Sequence, residues 1–197
     1  MRTGAIILAG GASSRMGGPK PLLEWEGVSF AARLAKLYGE FCAPVVLVLG
    51  YHHERIRQQA GIPRSVAVTV NPAPERGMLS SLQCGLRALP AGLDGFLFTP
   101  CDYPAVRRET VAALIAAFQG GVCIPRHDGR NGHPVLCAQP LRAELLALAA
   151  DASAKDVIRA HRHETVWVDV DDPGTVTDVD TPADYQNLLA LAPAISR

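Results

Sequence analysis

The chain carries no excess of charge: 19 Lys and Arg balance 19 Asp and Glu over 197 residues. That balance gives no electrostatic basis for binding duplex nucleic acid or an anionic membrane surface. There is no C-x-x-C pair, and the five cysteines (Cys42, Cys84, Cys101, Cys123, Cys137) are odd in number and widely spaced. This argues against a disulfide framework or a zinc site and for buried thiols in a reducing compartment. Cys101 stands apart only because it precedes Asp102. No run of about 18 apolar residues occurs. Met1-Arg2-Thr3-Gly4 leads straight into an apolar run with no signal-peptide pattern, so the expected location is the cytoplasm. The motifs G-x-G-x-x-G and G-x-x-x-x-G-K-[ST] are both absent. Gly50-Tyr51 also stand where an acidic residue would close the second strand of a dinucleotide-binding oxidoreductase, which sets that class aside. No repeat, low-complexity tract or linker interrupts the chain. With 48% hydrophobic and 19% charged residues, it reads as one globular domain over 1–197. A chain of this length buries roughly 70% of its unfolded surface and needs no staples.

What is present centres on Ala5 to Lys20, AIILAGGASSRMGGPK. The short apolar run Ala5-Ile6-Ile7-Leu8-Ala9 suits a strand buried on both faces, as in a parallel sheet. Gly10 and Gly11 end it, and small residues follow to Arg15, Gly17-Gly18 and Lys20. Such a loop brings backbone N–H groups close to an anion, because glycine has no Cβ to obstruct the approach. Arg15 offers a planar fork and Lys20 a point charge for phosphate oxygens. On these grounds the stretch is a triphosphate cradle; the plain alternative is a turn after a strand.

The remaining pattern alternates strands and helices. Strands are expected at 45–50, 66–70, 95–99, 122–125 and 165–170, those at 45–50 and 95–99 buried. Helices are expected at 29–41 with Ser29 as N-cap, 54–59, from Ser80-Ser81 to Leu89, 109–118, 140–150, 153–161, and from Pro182 onward, capped by Thr181 or Asp180. Residues 22–27 form a short extended piece closed by a glycine turn, and Arg126 to Gly132 a hairpin or flexible loop. His52 and His53 are adjacent, so they do not share a helix face as metal ligands would, and they read as surface residues. Ser80 and Ser81 open a helix, where hydroxyls and free N–H groups meet a ribose, a base edge or a phosphate, or simply cap. Asp102 follows a buried strand, at the edge where open α/β sheets bind ligands. As a short hard carboxylate it suits Mg²⁺, or makes an Asx turn. His133 is a ligand contact or a hydrogen-bonded structural histidine. It is not needed as a general base if the nucleophile is a phosphate, which is already ionised at neutral pH.

Five strings, in order, carry a resemblance over essentially the whole chain. They are L-A-G-G-x-x-x-R-M-G with Pro19-Lys20, N-P-x-x-x-x-G-M-x-S-S-L from Asn71, the strand-then-Asp102-x-Pro104 loop, G-H-P-V from Gly132, and D-T-P from Asp180. Together they resemble the MobA-like NTP transferases of the molybdenum cofactor cytidylyltransferase and guanylyltransferase type. The resemblance implies an α/β fold, a three-layer α/β/α sandwich with a mostly parallel sheet, nucleotide-diphospho-sugar-transferase-like (Rossmann-like). It implies that the main chain at Leu8, Ala9 and Gly10 lines base and ribose, that Arg15 and Lys20 hold phosphates, and that Gly11, Asn71, Gly77, Ser80 and Ser81 also contact the nucleotide. His133 and Pro134 would border the acceptor. Asp102 and Asp180 would hold Mg²⁺, with Asp178 the runner-up to Asp180. Arg15, Lys20 and Asp102 are the implied catalytic residues.

The implied reaction is attack of an acceptor phosphate, on a molybdopterin-type molecule, at the α-phosphorus of a nucleoside triphosphate, with pyrophosphate leaving. The strings conflict over the base, three against one. Leu8-Ala9-Gly10-Gly11 resembles the guanylyl branch, while N-P…G-M-x-S-S-L, G-H-P-V and D-T-P resemble the cytidylyl branch, so CTP is expected. GTP or another phosphorylated acceptor is the alternative. Cys101 and Tyr103 depart from the family's usual Gly and Met on either side of the aspartate. A non-catalytic carrier delivering the cofactor to a molybdenum hydroxylase apoenzyme is the contrasting class. The retention of Arg15, Lys20, Asp102 and Asp180 argues against it.

Overall fold

The computed structural model describes residues 1–195, with side chains as far as Leu191. The chain opens with β1 (Thr3–Ala9), followed by the glycine loop, and a small ribbon of β2 (Glu24–Trp25) and β3 (Val28–Ser29). Glu26 and Gly27, both at positive φ (52° and 73°), make the tight turn that such a ribbon requires. Then come α1 (Phe30–Gly39), β4 (Val45–Leu49), α2 (His53–Gln59), β5 (Ala67–Val70), α3 (Met78–Ala88), β6 (Gly95–Pro100), α4 (Arg108–Ala117), β7 (Val122–His127), β8 (Arg130–Asn131) and β9 (Val135–Ala138). The chain closes with α5 (Leu141–Ala147), α6 (Ala154–Ala160), β10 (Thr165–Asp169) and α7 (Pro182–Ile195).

The main sheet has the order β10-β7-β9-β6-β1-β4-β5, with β8 paired to β7 as a hairpin. β1 is central and parallel to β4 and β6, β4 is parallel to β5, and β7 is parallel to β10. β9 runs against its neighbours β6 and β7, as β8 does against β7. The pattern of alternation does not mark β9, since Val135-Leu136-Cys137 is as short and apolar as many loops' flanks. Its reversal has a consequence for the site: its N-terminal end, led by Gly132-His133-Pro134, lies at the same sheet edge as the C-terminal ends of β1, β4, β5, β6 and β7.

Alternate residues of β1 face opposite layers. Ala5, Ile7 and Ala9 pack with Leu34, Tyr38, Ile56, Val111 and Leu114, on the side of α1, α2 and α4. Ile6 and Leu8 pack with Leu82, Leu86, Leu141, Leu145 and Val157, on the side of α3, α5 and α6. A strand with both faces buried must be apolar throughout, which is why AIILA shows no polar alternation. At Gly85 a Cβ would lie 2.5 Å from Ile6 Cγ2, so α3 sits closer to the sheet than any other residue would permit. A third cluster, Trp25, Phe30, Val179 and Leu188, seats α7 against the ribbon.

Local expectations hold at two helix starts. Ser29 Oγ accepts from Ala32 N at 3.1 Å and caps α1. Thr181 exchanges bonds with Asp184 (Thr181 N to Oδ2 2.7 Å, Asp184 N to Thr181 Oγ1 3.2 Å), so Thr181 caps α7 and Asp180 does not. At α3 the outcome differs. The helix begins at Met78, and its N-cap is Gly77 at φ 86°, not a serine. Ser80 and Ser81 are engaged elsewhere.

Candidate active site

Two stretches of main chain bring the acidic groups together. Cys101 N–H donates to the carbonyl of Leu8 at 2.9 Å, carrying the β6 loop over the end of β1. Val179 N–H donates to the carbonyl of Asp102 at 2.9 Å, carrying the segment before α7 alongside it. Asp102 and Asp180, 78 positions apart in sequence (180 less 102), thereby share one cation. Lys20 Nζ donates to Asp102 Oδ2 at 3.1 Å and also to Asp180 Oδ1. Arg15 reaches the other oxygen of Asp180, Nη2 to Oδ2 at 2.8 Å. Lys20 is held from behind, its backbone N–H donating to Ser13 Oγ at 3.0 Å. Ser13 takes the left-handed region (φ 54°) to close the loop.

The charges follow from this geometry. Burial opposes the Lys20 ammonium, but the hydrogen bond to Asp180 and the proximity of Asp102 outweigh it and raise its pKa. Asp102 lies deeper than Asp180. Burial raises its pKa against the pull of Lys20, whereas the Lys20 hydrogen bond holds Asp180 below the usual carboxylate range. Asp102 Oδ1 is buried with no hydrogen-bond partner. A buried carboxylate oxygen lacking a donor is suited to a hard cation. Among the described residues no group of three or more His, Cys, Asp or Glu is clustered for a metal. A pair of carboxylates fits Mg²⁺, which takes one or two protein carboxylates and completes its shell with phosphate oxygens and water.

A recess of about 250 Å³ is lined by Leu8 to Gly11, Ser13, Arg15, Lys20, Ser81 and Asp102. Gly11 has open space where a Cβ would be, but Gly10 does not: a Cβ there would lie 2.8 Å from Ser81 Oγ. Gly10 also abuts Gly50, where a Cβ would fall 2.9 Å from Gly10 Cα. Packing thus requires glycine at position 50, whereas a side chain at position 10 would press on the Ser81 hydroxyl.

The recess opens into a larger cleft of about 1270 Å³, walled by Tyr103, His133, Trp167, Asp178 and the basic residues Arg76, Lys155, Arg159 and Arg162. His133 presents its ring to this cleft and packs 4.7 Å from Tyr103, while its Nδ1 is buried without a partner. Burial lowers its pKa to about 4, so the ring is neutral. Pro134 is buried behind it. The Cys101 thiol is buried and its pKa is raised by that burial, so it is not a reactive thiolate. His52 and His53 are exposed.

The structure therefore brings together Leu8, Ala9, Gly10, Gly11, Arg15, Lys20, Gly77, Ser81, Asp102 and Asp180. Asn71 is different: it is 4% exposed and its side chain is consumed by internal hydrogen bonds. Sequence reasoning missed Ser13 and the basic wall of the cleft. Lys155 and Arg159, spaced i, i+4 on α6, carried a helical-face signal; Arg162, in the turn after that helix, and Trp167 carried none.

The model for the MobA-like NTP transferase domain matches residues 5–166. The molybdenum cofactor cytidylyltransferase of Escherichia coli is 25% identical over 180 residues, 91% of this chain and 92% of that protein. A probable molybdenum cofactor guanylyltransferase of Bacillus cereus is 32% identical over 136 residues, 68% of this chain and 66% of that protein. The crystal structure of Rv0371c from Mycobacterium tuberculosis superposes with a TM-score of 0.83 at 27% identity, covering 96% of this chain and 97% of that one. Its complex with manganese superposes with a TM-score of 0.80 at 23% identity, covering 96% and 99%.

Proposed function

Since this chain belongs to the MobA-like NTP transferase family, and is thereby a nucleotidyltransferase of molybdenum cofactor biosynthesis, we propose that it joins CTP to a molybdopterin-type acceptor. Its fold is that of the nucleotide-diphospho-sugar transferases. The observation that carries the proposal is the charge cluster itself: Lys20 and Arg15 interleaved with Asp102 and Asp180 beside the bare backbone of Leu8 to Gly11. The recess takes the nucleotide, with its phosphates toward Lys20 and Arg15. The larger cleft takes the acceptor, bordered by His133 and Pro134.

An oxygen of the acceptor phosphate forms a bond to the α-phosphorus, the bond from that phosphorus to the α,β-bridging oxygen breaks, and pyrophosphate leaves with the electron pair. Lys20 and Arg15 offset the charge that gathers on the bridging oxygen and the leaving group. Asp102 and Asp180 are the residues that would hold Mg²⁺, which, when bound, neutralises phosphate charge. No residue need take a proton from the nucleophile, so a neutral His133 costs nothing. Catalysis of this class is positioning and charge stabilisation.

The choice of CTP is supported by the full-length similarity to the cytidylyltransferase. Gly10 carries less weight as a signal of the guanylyl branch, because a Cβ there would meet Ser81 Oγ at 2.8 Å. The specific counter-observation is the 32% identity to a guanylyltransferase, so GTP is the second reading. The same proposal places the enzyme in the cytoplasm, passing its product to a molybdenum hydroxylase apoenzyme. Calorimetry with CTP and GTP in the presence of Mg²⁺, followed by pyrophosphate release on adding molybdopterin, tests it. CTP binding with release is expected; preference for GTP overturns the base, and binding of neither overturns the site.

A further inference from the structure

Asn71 follows β5 directly and is tied to the sheet edge by its backbone N–H, which donates to Leu49 O at 2.8 Å. Its side-chain amide has an unambiguous orientation. The backbone N–H of Ala73 can only donate, and it lies 3.0 Å from Oδ1, so the other amide atom is the nitrogen. That nitrogen has two protons, and each has a taker: Ser80 Oγ at 2.8 Å and Ser81 Oγ at 3.0 Å. Both serine hydroxyls are thereby fixed as acceptors toward Asn71, and each is left with one proton to give. Ser80 gives its proton locally, with Gly77 O at 2.8 Å and Ala73 O at 3.2 Å as its acceptors. No protein acceptor is recorded for Ser81 among the described residues. Its oxygen faces Gly10 and lines the recess.

We propose that Asn71 is a positioning residue that sets the Ser81 hydroxyl as a hydrogen-bond donor to the nucleotide. The sequence pattern suggested that Asn71 itself touches the ligand; it lies one step behind, and Ser81 makes the contact. The partner of Ser81 is an acceptor atom on the base or ribose, such as a carbonyl oxygen or unprotonated ring nitrogen. Both cytosine and guanine carry such atoms, so the device orients a nucleotide without choosing between the two. Asn is required at 71 rather than Asp. A carboxylate of the same shape would accept from both serines, turn the Ser81 proton away from the recess, and present a lone pair where a proton is needed. The inference rests on the recess being the nucleotide site.

A double-mutant cycle tests it: calorimetric affinity for CTP and GTP with Mg²⁺, in wild type, Asn71→Asp, Ser81→Ala and the pair, with thermal melts alongside. Each single change is expected to weaken nucleotide binding about tenfold, the cost of one hydrogen bond to the ligand. The pair should be no weaker than Ser81→Ala, because Asn71 then has nothing left to orient. Should Asn71→Asp fail to fold, Asn71→Ala completes the same cycle. Losses that multiply to about a hundredfold, or an Asn71 variant that binds like wild type, overturn the proposal while leaving the nucleotide site in place. Failure of the wild type to bind either nucleotide removes the site and the proposal together.

Discussion

The backbone N–H of Val179 donates to the carbonyl oxygen of Asp102 at 2.9 Å. This bond joins the loop after the central strand pair to the segment that opens the last helix. Its effect is to hold two carboxylates against the same Lys20, although one comes from the middle of the chain and the other from near its end. Asp102→Ala and Asp180→Ala should each lower kcat/KM by about 10²–10³. The double variant should lose little more than the worse single, because residues acting as a unit are not additive. Steady-state pyrophosphate release measures this, with circular dichroism to confirm folding; an unfolded Asp102→Ala would make that residue structural instead.

Lys20→Met keeps the length of the stem and removes the charge. Asp102 and Asp180 then face each other without their shared cation, and the Asp102 carboxyl, already raised by burial, rises further. The sign follows from linkage: a carboxyl with a folded pKa above its unfolded value destabilises the protein at neutral pH, and the penalty fades as pH falls toward protonation. The melting temperature of Lys20→Met should therefore lie below that of wild type at pH 7, with the gap closing toward pH 4. Activity should be lost throughout. A gap that widens on acidification would contradict the assignment.

His133 predicts a pH dependence of stability in the wild type. Burial lowers its pKa to about 4 from an ordinary 6.5. The unfolded chain therefore binds a proton that the folded chain refuses. The contribution is complete above pH 6.5 and is lost as pH falls toward 4, reaching about 3 kcal/mol across the interval. His133→Gln should flatten that part of the stability curve, as read from urea midpoints at pH 7, 6, 5 and 4.

Gln83 predicts an effect on stability separate from nucleotide binding. It is 8% exposed, and its Nε2 donates to Leu145 O at 3.0 Å and Leu148 O at 3.1 Å. One side chain of α3 thus satisfies the carbonyls that α5 leaves open at its C-terminus. Gln83→Leu should cost about 2–3 kcal/mol through those unpaired carbonyls. It should lower the melting temperature by several degrees while leaving nucleotide affinity unchanged.

Much of this was legible in the chain itself. Ala5 to Ala9 reads as a doubly buried strand because a parallel sheet covered on both faces tolerates no polar alternation. Ser29 and Thr181 read as caps because capping is local. Lys20, Asp102 and Asp180 could be named from their strings, but their mutual contact could not. It depends on Cys101 N–H meeting Leu8 O and Val179 N–H meeting Asp102 O, backbone bonds that leave no trace in residue identity. Asn71 was legible from its string, but its bonds to Ser80 and Ser81 were not, since a pattern cannot tell a residue that touches a ligand from one that holds its neighbour. The α3 start lies earlier than Ser80 and Ser81 suggest, because the helix begins at Met78 after Gly77, with no side-chain cap.

The reversed strand β9 bears on the order in which the molecule can be made. β5, β4, β1 and β6 are neighbours in the sheet and are all complete by Pro100. β7 comes next along the chain but is not paired with β6; β9 lies between them. A chain emerging from the ribosome can therefore assemble the nucleotide half while its later half is still being synthesised. β7 gains its link to that half only when Ala138 has appeared. Until then the exposed edge of β6 is open to the wrong neighbour, and the first segment long and apolar enough to take that place is β7 itself.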